Sequence, residues 1–107
     1  MRMWKVDPKL MCNRHLFSEH LDMHLFVGMI KSGREIKEFI DDGFIETGNI
    51  EFRHKELVKE IKARGFEHDT SLDSNFDPSG KIDSIKNIED LKSKCSDCRR
   101  RIENSGY

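Results

Sequence analysis

No apolar run in the sequence is long enough to cross a bilayer: the longest, Leu25 to Ile30, is six residues and contains a glycine, against the roughly 20 that a spanning helix needs. The opening MRMWKVDPK lacks the apolar core of a secretion signal, so the expected location is intracellular, with no membrane partner. An excess of charge of either sign is missing too. The formal net charge is -1, which neither suggests a nucleic-acid partner nor excludes one, because a single basic face is enough. Cysteine is scarce and odd in number, at three residues. That excludes a fully paired disulfide framework and fits a reducing compartment. Internal repeats, low-complexity stretches and strand-like alternation are absent. A chain of 107 residues fits one domain over residues 1–107, expected to be monomeric, burying roughly two-thirds of its unfolded surface.

The pattern that is present is helical. A first long helix is expected from Asn13, as cap, to about Lys31. Leu16, Phe17, Leu21, Met23, Leu25, Val27 and Ile30 cover more than one stripe of it, as in a helix central to a fold. Ser32-Gly33 ends it. A short helix is expected over 35–40, then a turn at Thr47-Gly48-Asn49. A second long helix follows from Ile50 to about Arg64, with Ile50, Leu57, Val58 and Ile61 at helical spacing. Residues 68–82, rich in Asp, Ser, Pro and Gly, read as loop. A last helix is expected from about Ile88 to Ile102, with Asn87 as cap. The expected class is all-α: about three long helices and a loop-rich C-terminal half.

Four groups of residues carry possible chemistry. His15, Glu19 and Asp22 fall at i, i+4 and i+7 on one helix face. Such a stripe is either a solvated face or the wall of a site with Asp22 as acid/base and His15 against the substrate. His20 and His24 have the i, i+4 spacing of a zinc pair, but Leu21 stands where zinc-protease helices carry Glu, and no metal ligand is assigned. Cys95 and Cys98 form half of a possible zinc site. Only Cys12 and scattered histidines remain to complete it, and their place on the apolar stripe of the last helix reads as small buried hydrophobes. At the N-terminus, Arg2 is too large for ready removal of Met1, and α-amines as a class titrate near ~7.7–8. A partly neutral amine is a competent nucleophile toward a sugar aldehyde carbon. Arg2 and Lys5 are placed to anchor phosphates, and Trp4 argues against a frayed end.

Taken in order, MRMWKVDPK, NRHLFSEHLDMHLFVG, RHKELVKEIKARGF and KCSDCRRRI resemble the pyrimidine-dimer DNA glycosylase/AP lyases of the phage endonuclease V type, in their short form. The resemblance covers most of the chain, least over residues 68–86. It implies a compact helical enzyme without metal or organic cofactor that binds ultraviolet-damaged duplex DNA, kinks it and flips a base. It also implies attack of the N-terminal amine on the sugar C1′ of the 5′ pyrimidine, an imine link to DNA, and elimination that nicks the strand. Carried onto this chain, the nucleophile is the amine of Met1, the adjacent basic residue is Arg2, the DNA-contacting histidine is His15 and the catalytic carboxylate is Asp22. Gly28 matches the glycine after the apolar run. Asp22 stands where the family more often has Glu. Leu21 and Leu25 replace flanking arginines of the longer phage relatives, which leaves Lys31, Arg34 and the run from Arg99 to Arg101 as candidates for phosphate contact. Two other functions fit the same residues: a non-catalytic damaged-DNA-binding module of the same fold, and a small zinc-dependent interaction domain using His20, His24, Cys95 and Cys98.

Overall fold

The computed structural model of the chain describes residues 1–68 and 71–106. It is all-α, with five helices and no strand among the described residues: α1 (Asn13–Lys31), α2 (Lys37–Asp41), α3 (Ile50–Ala63), α4 (Ser84–Lys94) and α5 (Ser96–Asn104). Short 3-10 turns at Pro8–Leu10 and Thr47–Asn49 lead into α1 and α3.

α1 and α3 pack against each other at the centre. α1 buries Leu16, Glu19, Met23, Phe26 and Val27, spaced three or four apart as one helix face requires. α3 answers with Ile50, Arg53, His54, Leu57 and Ile61. α4 and α5 pack on each other, and α5 rests on the Pro8–Leu10 turn. Ile88, Leu91, Cys95, Cys98 and Ile102 join the same core.

Three boundaries differ from the sequence reading. The cap of α1 is Cys12, and Asn13 is its first helical residue. The short helix starts two residues later than expected, at Lys37. The single last helix is two, α4 and α5. α4 begins at Ser84 because the Asp83 side chain accepts from the Lys86 N–H at 3.1 Å, the capping bond assigned to Asn87 in the sequence. Its C-cap, Cys95, is extended (φ -136°, ψ 114°), and the Cys95 sulfur accepts from the Cys98 N–H to start α5. A cysteine that caps a new helix cannot also continue the old one.

Residues 1–7 form an extended segment held against the helices. Met3 and Trp4 are buried. The Met3 N–H donates to the Phe44 carbonyl at 2.6 Å. The Val6 carbonyl accepts from Arg53 at 2.7 Å, and the Trp4 carbonyl accepts from Asn87 at 2.7 Å. Arg64 reaches back to the Pro8 and Met11 carbonyls at 3.0 and 2.7 Å. The backbone bonds of a segment that joins no helix or sheet are thereby met by side chains and by the Phe44 carbonyl. Lys5 is the sole non-glycine residue with positive φ among those described, at 53°, and its ammonium lies 2.9 Å from Glu46.

Candidate active site

This docked segment carries residue 1 to α1. The Arg2 backbone N–H donates to Asp22 Oδ2 at 3.2 Å. Burial raises the pKa of the half-buried Asp22, while that hydrogen bond and the positive N-terminal amine act in the opposite direction. The bond from the Arg2 amide brings the first residues of the chain to this carboxylate, so the two residues singled out in the sequence as nucleophile and carboxylate, Met1 and Asp22, share one region of the molecule. Met1 is exposed. Leu21 and Leu25, on either side of Asp22 along α1, are exposed as well.

The Arg2 guanidinium does not extend into solvent. It lies 3.7 Å from the Trp4 ring centroid and 4.4 Å from that of Phe44, donates to Asn87 Oδ1 at 2.6 Å and pairs with Asp90 at 3.8 Å. Trp4 also meets the His15 ring edge-on, with centroids 5.9 Å apart. His15 therefore adjoins the N-terminal segment, with its pKa lowered first by burial and then by Arg14. Its Nδ1 faces inward, 3.2 Å from Cys12 Sγ and 3.5 Å from Cys98 Sγ.

The remaining candidates are not in this group. Lys31 lies nine residues beyond Asp22, about 14 Å of helix, and Arg34 follows the end of α1. Arg99, on α5, is exposed and 3.8 Å from Glu103.

Glu19 belonged to the polar stripe in the sequence, yet it is buried. It takes a two-pronged ion pair from Arg53, at 2.6 and 2.9 Å, and accepts the Trp4 N–H. Asn87, read as a cap, is also buried and bridges Arg2 to Trp4. These are the positioning residues that the sequence reading missed. One signal was available: Arg53 and His54 interrupt the apolar stripe of α3 three and four residues after Ile50, where a solvated residue does not belong.

Two clusters of metal-ligating side chains emerge. Cys12, His15, Cys95 and Cys98 place four donor atoms within 4.8 Å of one another, and so do His20, His24, His54 and His68. The combination of His20 and His24 with Cys95 and Cys98 is thereby corrected: the structure sorts them into separate clusters, because His20 and His24 face α3 whereas the two cysteines face the start of α1. All three thiols are buried, as expected of Cys95 and Cys98, but they meet each other and an imidazole rather than aliphatic groups alone. Burial and mutual repulsion hold His20 and His54 down to about 4, so both are neutral near pH 7.

Neither a curated protein nor a solved structure matches the chain. A family model described as pyrimidine dimer DNA glycosylase matches residues 1–74, which include Met1, the docked segment, α1 with Asp22, and α3 with Arg53. With 74 of its 107 residues matched, this chain belongs to the pyrimidine dimer DNA glycosylase family.

Proposed function

We propose that the protein is a bifunctional glycosylase and AP lyase that uses the α-amine of Met1. The observation that carries this reading is the Asp22 carboxylate, bonded to the Arg2 amide at 3.2 Å and within the field of the amine. The neutral amine attacks C1′ of the 5′ nucleotide of the dimer. A C1′–N bond forms, the glycosidic bond breaks, and its electron pair leaves with the base. Loss of a proton from nitrogen and opening of the sugar give an imine. Abstraction of a proton from C2′ then drives cleavage of the C3′–O bond, so the strand is nicked. Asp22 stabilises the cationic sugar and shuttles these protons. No metal or organic cofactor takes part in these steps.

Substrate capture follows from the surface around Asp22. Leu21 and Leu25 present apolar side chains where an opened base stack would meet α1, and apolar wedges of this kind support kinked, unstacked duplex. His15, Lys31, Arg34 and Arg99 supply contacts to the DNA backbone. Arg2 acts mainly through its amide and through the stack that fixes Trp4.

Borohydride trapping on DNA containing an abasic site tests the mechanism. A covalent adduct mapping to the peptide of residue 1 is expected. An adduct on a lysine would discard the role of Met1, and binding without an adduct would indicate a non-catalytic damage-binding module.

A further inference from the structure

Four residues that take no part in the proposed bond-making steps, His15 alone among them having a place at the proposed DNA surface, form a complete donor set. Cys12 caps α1 and His15 lies in its first turn; Cys95 caps α5 and Cys98 lies in its first turn. Two Cys-x-x-ligand units, from opposite ends of the sequence, thus meet at two helix N-termini. The sulfurs of Cys12 and Cys95 are 3.9 Å apart, and His15 Nδ1 is 3.2 and 3.5 Å from Cys12 and Cys98. A tetrahedral zinc ion with ordinary bond lengths separates its sulfur ligands by ~3.8 Å and sulfur from nitrogen by ~3.6 Å. We propose that Cys12, His15, Cys95 and Cys98 form a structural zinc site that clamps the start of α1 to the start of α5.

The surroundings are those of a thiolate site. Cys12 N–H donates to Cys98 Sγ at 3.3 Å, and Cys98 N–H donates to Cys95 Sγ at 3.5 Å. The Arg14 guanidinium is 3.8 Å from Cys95 Sγ. Zinc binding displaces three thiol protons into solvent. The loaded site then carries one net negative charge, offset by Arg14 and by the positive ends of two helices. Four protein ligands close the coordination sphere, which marks a structural ion rather than a catalytic one. His15 also packs its ring against Trp4, with centroids 5.9 Å apart, so on the proposed function the ion also fixes the wall of the active site.

The imidazole cluster is a second site, carried by a different observation. His24 Nε2 and His54 Nε2 are buried without a hydrogen-bond partner, a rare condition for buried polar atoms. The ring of His20 lies 5.0 Å from each of these two rings and 4.3 Å from that of His68, and the Nε2 atoms of His20 and His68 are in contact. Four imidazole nitrogen donors around one point suit zinc or another late first-row divalent ion.

Elemental analysis of protein expressed with zinc, followed by mercurial titration of the thiols, tests both sites. Two equivalents of zinc are expected, one of them released as the thiols are modified. Cobalt added to the stripped protein should give an intense thiolate-to-cobalt charge-transfer band, reporting the thiol site whether or not a variant folds well. Cys98→Ser should lose that band and one equivalent. His54→Gln should lose the other equivalent and keep the band. No zinc release on thiol modification, together with no charge-transfer band, overturns the thiol site. Equal metal content in wild type and His54→Gln overturns the imidazole site. Both results are independent of base excision.

Discussion

Asp22 is one methylene shorter than the Glu more usual in the family, and its contact with the Arg2 amide bears on whether that matters. The carboxylate already reaches that N–H at 3.2 Å, so this site accommodates the length of Asp. Asp22→Asn should lower turnover by about 100-fold or more while leaving DNA binding within a few fold, since it keeps the shape and removes the charge. Asp22→Glu should lower nicking of both abasic and irradiated duplex, because a catalytic group displaced by about 1 Å can lose on the order of 100-fold. Paired rates on the two substrates measure this, and a gain on either would show that Asp is the compromised version. The pH profile carries a further sign. On the proposed mechanism the amine and the Asp22 carboxylate both react unprotonated, so the acid side should steepen a second time where Asp22 titrates, above the ordinary Asp value because burial raises it, and Asp22→Asn should lose that second fall alone. Glu19 is a different kind of residue. Glu19→Gln leaves the buried Arg53 with only Glu56, 3.5 Å away and partly exposed, as counter-charge and should cost about 3 kcal/mol in urea denaturation; unchanged stability would mean that the pair contributes little.

At the scale of elements, the extended residues 1–7 matter as much as any helix. Adding one residue ahead of Met1 moves the amine by up to about 3.8 Å, beyond reach of Asp22. Such a protein should keep its helical circular dichroism and its DNA binding and lose borohydride trapping; retained trapping would place the nucleophile elsewhere. Trp4 made the burial of this segment legible, since an indole at a chain end seeks cover. What covers it was not legible. Arg53 and Asn87 come from 47 and 83 residues downstream of the carbonyls they hold, and no local spacing encodes a distant partner. The long helices α1 and α3 were legible because 14 to 19 residues of apolar periodicity outweigh any single cap. The break at Cys95 was not, because the apolar stripe runs straight through it and only the fold reveals its sulfur as a cap. The same holds for the clusters: His20 and His24 share a helix and were visible as a pair, whereas His54 and His68 join them only through packing.

At the scale of the whole molecule, α4 and α5 lie beyond the residues matched by the family model, yet they supply Asn87, Asp90, Cys95 and Cys98 to the region around the amine. Asn87→Ala removes the partner of the Trp4 carbonyl and of the Arg2 guanidinium at once. A loss of about 1–3 kcal/mol is expected from the buried groups left unpaired, with a drop in trapping rate measured where the variant is still fully folded. Normal trapping in that variant would show that α4 stabilises the fold without positioning the nucleophile.

The contacts that seat the N-terminal segment also set the order in which the protein becomes competent. Arg2 to Asn87, Trp4 to Asn87 and Cys12 to Cys98 close loops of 83 to 86 residues, and contacts so distant in sequence form late and slowly, after the chain entropy of closure has been overcome. Helix formation is local and fast by comparison. Refolding from denaturant should therefore restore circular dichroism before it restores trapping. The amine at the first residue of the sequence is the last part of the machinery to reach its place.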